Sequence, residues 1–157
     1  MMKFLNYRSQ EITFENRLHF TTDRNEVSLY FRDITREVIQ SEKIKQKEVV
    51  LNKIKEDGKR LIDIDWEKSI ILNYIPYQYI TPEFLQGLLP IVGIAFVREN
   101  DAAIGLDVAH EGFLVNGKTL IHASSVQEKV VEENFLSYYF IDQNIPRFDG
   151  IILFELN

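Results

Sequence analysis

A short turn in the second half of the sequence constrains the fold more than any other feature. Asn116-Gly117-Lys118 separates two segments rich in strand-forming residues, Leu106–Val115 and Thr119–Ser124. Asn followed by Gly is a strong hairpin signal, because both residues tolerate the positive φ that short hairpin loops require. The two segments are therefore predicted to be neighbouring antiparallel strands.

Further short elements are predicted around this hairpin. Thr81 and Pro82 are typical of a helix start, with Thr81 as the N-cap and Pro82 in the first turn. A second helix is predicted over Glu132–Phe140, where apolar residues recur at helical spacing. The apolar segments predicted as additional strands are Ile91–Val97, Val126–Val131 and Gly150–Leu156.

The first half of the sequence instead favours helices. From Asn25 to Gly58 apolar residues recur at three- and four-residue intervals, with a break near Gln40-Ser41, and Gly58 is placed as a C-terminal cap. A short strand or an extended entry segment is expected at Glu11–Phe20. The predicted class is α+β in a single domain over 1–157, with N-terminal helices in about residues 1–68 followed by an antiparallel sheet in about 69–157.

Composition excludes several function classes. The 157 residues carry a net charge of −6, with 18 basic side chains interspersed among 24 acidic ones, so no nucleic-acid partner is predicted. The sequence has no apolar run of about 20 residues, so no membrane span is predicted. The first residues lack the apolar core of a signal peptide, which would leave the chain in the cytoplasm if it is complete. Cysteine is absent, which excludes disulfides and a thiol nucleophile within these residues.

Two of the three histidines, His110 and His122, lie on the two arms of the predicted hairpin. A two-residue loop would place them on opposite faces of the sheet. A three-residue loop would pair Gly112 with His122 and bring His110 diagonally close on the same face. Two adjacent imidazoles can act as a base and its orienting partner, although two histidines on a hairpin are more often packing or surface residues.

Other polar residues support weaker hypotheses. The histidine pair with Asp107 or Glu111 would suit a metal-dependent hydrolase, but the helical spacing of known zinc motifs is missing, and neither a metal nor a cofactor is predicted. Ser124 lacks the glycines that surround a hydrolase serine. Asp63 and Asp65 alternate with apolar residues in Leu61–Trp66, which is either a short strand or the start of a loop. The two carboxylates could hold a cation or serve as acid and base, but the exposed face of a strand explains them more simply.

The hairpin also resembles a known superfamily. His110-Glu111-Gly112-Phe113 followed by Leu120–Ser125 is similar to the NlpC-type papain-like superfamily, and within it to the N-acetylmuramoyl-L-alanine amidase-like branch. Its members are cysteine amidases and peptidases of bacterial cell walls. Weaker matches lie at Tyr7-Arg8, Arg17–Phe20, Thr22-Asp23, Asp33–Thr35 and Gly150-Ile151.

The resemblance implies a papain-like core in which His110 is the general base and His122 the orienting member of a Cys-His-His triad. It places Arg17, His19 and Ser124 on the substrate side. The implied partner is peptidoglycan or a muropeptide, and the implied location is the periplasm or cell envelope.

The sequence departs from that pattern at the nucleophile. The family cysteine would lie on a helix upstream of Met1, so we expect a divergent or shortened member that is inactive as this chain. The alternative is a non-catalytic interaction or regulatory module that keeps only the fold. A homodimer or another partner would then cover the surface that the upstream helix would occupy.

Overall fold

The computed structural model describes residues 31–54, 57–60, 65, 67–99, 108–142 and 145–156. The elements from β2 onward belong to one unit, Asp33–Leu156, and the assignment of residues 1–157 to a single domain stays a prediction. The strands are β1 (Phe31–Asp33), β2 (Lys45–Leu51), β3 (Lys68–Pro76), β4 (Ile91–Val97), β5 (Val108–Val115), β6 (Thr119–Ser124), β7 (Lys129–Asn134), β8 (Phe140–Asp142), β9 (Ile145–Pro146) and β10 (Gly150–Leu156). The helices are α1 (Pro82–Gln86) and α2 (Phe135–Tyr139), with 3₁₀ turns at Ser41–Lys43 and Tyr77–Tyr79.

One antiparallel sheet organises this unit. Its strands follow the order β2-β3-β10-β4-β5-β6-β7, so β4 to β7 form a meander of consecutive neighbours. The last strand, β10, lies between β3 and β4 and is antiparallel to both. β8 and β9 form a separate two-stranded ribbon. In the part of the chain that the structure describes, no helix is long and apolar enough to cross a membrane.

The core is divided between the two faces of the sheet. On one face, Phe96 of β4, Leu114 of β5 and Ile151 of β10 pack in the main apolar cluster with Phe135 and Tyr139 of α2. The opposite face carries a smaller cluster of Tyr74, Ala95, Val97 and Ile152. Since α2 packs on the face that carries Phe96, side chains of the hairpin that point to that face meet an aromatic surface.

Within residues 31–54, 57–60, 65 and 67–68, the described part of the predicted helical region, the structure has strands and turns instead of the expected helices, so the predicted order of N-terminal helices followed by a sheet is wrong. Lys45–Leu51 is a strand paired along its length with β3, and Val49 lies opposite Ile70. Gly58 has a φ of +77° in a turn rather than at the end of a helix. The β-branched residues of this segment gain more from pairing with β3 than a mixed-charge helix would gain from its weak apolar stripe. The papain-like order of helices before a sheet is therefore also wrong.

Other local predictions are confirmed or shifted by a few residues. Thr81 caps α1, with its Oγ1 accepting a hydrogen bond from the Phe84 N–H at 3.2 Å. Strands β4, β6 and β10 have the predicted bounds. The strand predicted at Val126–Val131 is found at Lys129–Asn134, and the helix that follows begins later than predicted. The segment Glu11–Phe20 and most of Leu61–Trp66 lie outside the described residues.

Candidate active site

The loop between β5 and β6 has three residues. Val115 pairs with Thr119 and Gly112 with His122, which is the register predicted for the odd loop length. Asn116 and Gly117 have φ values of +50° and +61°, in the left-handed region that this loop requires. Both hairpin histidines consequently point to the same face of the sheet.

The two imidazoles form a direct hydrogen bond. Nε2 of His110 lies 2.7 Å from Nδ1 of His122, and the ring planes are nearly perpendicular at 87°. His122 is buried, with 5% of its surface exposed, whereas His110 is half-buried. His110 is therefore the member of the pair through which the site can exchange a proton.

A third side chain, Glu133 of β7, completes the arrangement. Its Oε1 lies 2.6 Å from Nε2 of His122, so both nitrogens of the buried ring have partners. The sequence prediction missed this residue because it assigned Glu132–Phe140 to a helix. Val131 lies opposite His122 in the sheet, and the residue two positions further along a strand shares its face. Extending the predicted strand through Asn134 would have identified Glu133.

Aromatic rings surround the histidine pair. Tyr138 of α2 has its ring centroid 4.7 Å from that of His122 and 5.8 Å from that of His110. Phe96 of β4 stacks on His110 at 5.7 Å. The exposed guanidinium of Arg147 lies 5.4 Å from the centre of the Tyr138 ring. The pair thus lies in an apolar setting with a cation at its border.

This setting changes the acid–base properties of the site. Burial lowers the pKa of His110 below its ordinary value, the nearby His122 lowers it further, and the Glu133 carboxylate partly opposes both effects. Burial likewise raises the pKa of the Tyr138 hydroxyl. A His110 that is neutral near pH 7 can accept a proton, as a general base must.

The other candidate residues lie elsewhere or outside the described part. The Ser124 hydroxyl accepts a hydrogen bond from the Gln127 N–H at 3.2 Å in the turn after β6. Arg17 and His19, like Asp107 and Asp63, lie outside the described residues.

The metal hypothesis loses its geometric support for Glu111, whereas its other carboxylate, Asp107, lies outside the described residues. Glu111 follows His110 on the same strand, so its side chain leaves the opposite face of the sheet. The facing nitrogens of the two histidines are engaged with each other. Among the residues with described positions, no group of three or more His, Cys, Asp or Glu side chains is arranged to hold a metal ion.

A hydrogen-bonded histidine pair with a carboxylate, carried on an antiparallel meander, is an arrangement that can accept and return a proton. The model of the AmiA-like family, described as N-acetylmuramoyl-L-alanine amidase-like, matches residues 1–145, and the chain belongs to this family. No curated protein matches the chain at a significant level.

Solved structures show the same fold at low sequence identity. Protein LPG0564 of Legionella pneumophila, from the family known as DUF1460, aligns with a TM-score of 0.64 and 22% identity over 92% of this chain and 63% of its own. An N-acetylmuramoyl-L-alanine amidase of Bacteroides uniformis aligns in two structures, with TM-scores of 0.58 and 0.55 at 22% and 20% identity. Each alignment covers 92% of this chain and 66% of the amidase. The chain thus spans less than two thirds of the length of these structures.

Proposed function

We propose that this chain is an N-acetylmuramoyl-L-alanine amidase-like protein of bacterial peptidoglycan metabolism in which His110 is the general base and His122 its orienting partner. The observation that carries the proposal is the 2.7 Å hydrogen bond between the two rings, on one face of the sheet and next to solvent. The family membership supports peptidoglycan or a muropeptide as the ligand class.

The role of His110 follows from amide hydrolysis by a thiol enzyme. A base takes the thiol proton, the thiolate attacks the amide carbonyl, and the same base returns the proton to the leaving amine. A thioester remains and is then hydrolysed by water. His110 is suited to the base role, since burial favours its neutral form. The NlpC-type resemblance belongs to this proposal through the paired histidines.

Whether the 157-residue chain can hydrolyse an amide by itself depends on whether it contains a nucleophile. None of the 157 residues is a cysteine, and neutral imidazole with water alone is a poor substitute for a thiolate. We therefore propose that the chain binds muropeptides without hydrolysing them at the rate of a thiol amidase. Arg17, His19 and Ser124 are proposed as substrate-side residues.

The test combines a binding and a turnover measurement on the 157-residue chain. Muropeptide titration followed by calorimetry and by histidine NMR signals should show saturable binding that perturbs His110 and His122. Mass spectrometry should detect no released peptide. His110→Ala should weaken binding about tenfold, whereas the exposed Val126→Ala should leave it unchanged. Thiol-independent hydrolysis that disappears in His110→Ala would overturn the claim of inactivity.

The interaction or regulatory module remains the second candidate, favoured by the absence of cysteine from these residues. It predicts that muropeptides leave the histidine signals unchanged and that the chain associates with a second copy or another protein. Sedimentation analysis over a range of concentrations tests self-association. A chain that stays monomeric and binds muropeptides would contradict this candidate.

A further inference from the structure

We propose that Glu133 is a positioning residue that fixes the tautomer of His122 and thereby makes Nδ1 of His110 the proton-accepting atom of the site. The catalytic meaning of this assignment rests on the proposed function. The tautomers themselves are properties of the protein alone and can be measured without substrate.

The contact between Glu133 and His122 fixes the position of one proton on the His122 ring. A carboxylate has no proton to donate, so the 2.6 Å contact requires a proton on Nε2 of His122. At 2.6 Å the contact is slightly shorter than the roughly 2.7–2.9 Å of charge-assisted N–H···O hydrogen bonds, so it is a short contact of that kind. The Glu133 side chain is 39% exposed and that of His122 only 3%, so the carboxylate is partly hydrated while the ring it orients is enclosed.

The fixed tautomer of His122 in turn fixes the tautomer of His110. A neutral imidazole carries one proton, so a His122 protonated at Nε2 has a lone pair at Nδ1. That lone pair faces Nε2 of His110 at 2.7 Å, which must then supply the proton of this hydrogen bond. His110 in turn has its lone pair at Nδ1. Among the described residues, no hydrogen-bond partner occupies that atom, and it is left to act on a ligand.

The proton that His110 accepts is stabilised through the same chain of contacts. Protonation at Nδ1 makes His110 an imidazolium that can share its charge with His122 through their common hydrogen bond. Glu133 then lies at the far end with the compensating negative charge, as an orienting carboxylate does behind a catalytic imidazole. Consistent with this coupling, Glu133 raises the pKa of His110 without touching it, against the lowering by burial and by His122.

The groups facing His110 come from every element packed against it. They are His122 on β6, Glu133 on β7, Tyr138 on α2 with Arg147 beyond its ring, and the uncharged Phe96 on β4. Burial favours the neutral form of the Tyr138 hydroxyl. Glu133 is therefore the negative charge whose removal should be felt at His110.

The experiment is long-range ¹H–¹⁵N correlation NMR on protein labelled with ¹⁵N-histidine, which reports the protonation of each ring nitrogen. In the natural sequence we expect both His110 and His122 as the Nε2–H tautomer. In Glu133→Gln the carboxamide can donate as well as accept, so we expect a mixture of His122 tautomers and a downward shift of the His110 pKa. Glu133→Asp keeps the negative charge, so the His110 pKa should lie closer to its value in the natural sequence than it does in Glu133→Gln.

Glu132→Gln is the matched control. Glu132 is the neighbour of Glu133 on β7, is exposed and points to the opposite face of the sheet. Its substitution therefore removes the same charge without touching the histidine pair. A His122 protonated at Nδ1 in the natural sequence would overturn the proposal. So would a Glu133→Gln variant whose tautomers and His110 titration match those of Glu132→Gln. If Glu133→Gln fails to fold, the natural tautomers and Glu133→Asp decide.

The outcome is separable from that of the proposed function. Tautomers fixed as described, together with no muropeptide binding, would retain the assignment of Glu133 and reject the ligand. Muropeptide binding with tautomers that do not depend on Glu133 would do the reverse.

Discussion

Gly112 lies directly opposite His122 across the β5–β6 pair, and a methyl group on Gly112 would meet the His122 Cβ at 3.0 Å and the Ile121 carbonyl oxygen at 2.6 Å. The missing side chain gives the His122 ring room to lean toward His110, which lies one diagonal step away on the same face. The contact between the histidines thus depends on a residue that carries no functional group.

We expect Gly112→Ala to break the hydrogen bond between the histidines. The added methyl group must displace either the backbone of β6 or the His122 ring, at a cost of about 1–3 kcal/mol in the free energy of unfolding. Urea unfolding gives the free energy, and the histidine NMR signals report the contact. Gly87→Ala is the control, because its Cβ would meet only ordinary contacts, the nearest at 3.4 Å. An unchanged His110 signal in Gly112→Ala would contradict this role.

Asn134 joins the stability of α2 to the site. Its side-chain oxygen accepts a hydrogen bond from the Ser137 N–H at 3.0 Å and so caps the helix that carries Tyr138. Asn134→Ala should lower the free energy of unfolding by about 1 kcal/mol, whereas Asn134→Asp should keep most of the stabilisation, because aspartate is also a good N-cap residue. We also expect the ring signals of Tyr138 and His122 to shift in the alanine variant. Equal stability of the two variants would show that the cap is unimportant.

The lowered pKa of His110 predicts a pH-dependent stability. The unfolded residue titrates near its ordinary value of 6.5, so between the folded pKa and 6.5 the unfolded chain binds more protons at this site. The contribution of His110 is therefore present above about pH 6.5 and lost as the pH falls through the folded value. Chemical unfolding of the natural chain and of His110→Gln should converge in stability toward acid pH. A difference that grows on acidification would reverse the sign and refute the assignment.

A buried hydroxyl provides a test of the core beneath the site. The Tyr139 hydroxyl donates a hydrogen bond to the Phe148 carbonyl oxygen at 2.9 Å, and the residue is fully buried. Tyr139→Phe should lower the free energy of unfolding by about 1–3 kcal/mol, because it leaves that carbonyl without its partner. The exposed Tyr77→Phe should change it by less than about 0.5 kcal/mol. Thermal or urea unfolding of the two variants distinguishes these values.

The features that could be predicted from the sequence are those decided by residues close together along the chain. The loop 116–118 sets its own backbone conformation through Asn116 and Gly117, so the two alternatives for the histidine faces could be formulated and one of them is found. The Thr81 cap is likewise a contact within one helical turn.

The predictions failed where pairing with another strand decides the structure of a segment. Lys45–Leu51 has an ambiguous apolar pattern, and its pairing with β3 across the intervening loop settles it as a strand. Glu133 was missed for a related reason, since the strand preceding α2 continues through Asn134 because it is paired with β6. The histidine pair could be predicted from the loop between its two strands, whereas the carboxylate of Glu133 could be identified only from the pairing of β7 with β6.

The position of β10 bears on the order in which the molecule assembles. In the meander β4 to β7, which carries all three members of the site, each strand pairs with the next one along the chain, and the β5–β6 and β6–β7 loops have only three and four residues. β10 is synthesised last of these strands and inserts between β3 and β4, which are far from it in sequence. Contacts between residues far apart in sequence form slowly, because closing the long loop between them costs conformational entropy before the contact can stabilise the chain. We therefore expect the histidine hairpin to form early, with β2 and β3 joining the sheet after the C-terminal strand has docked against β4.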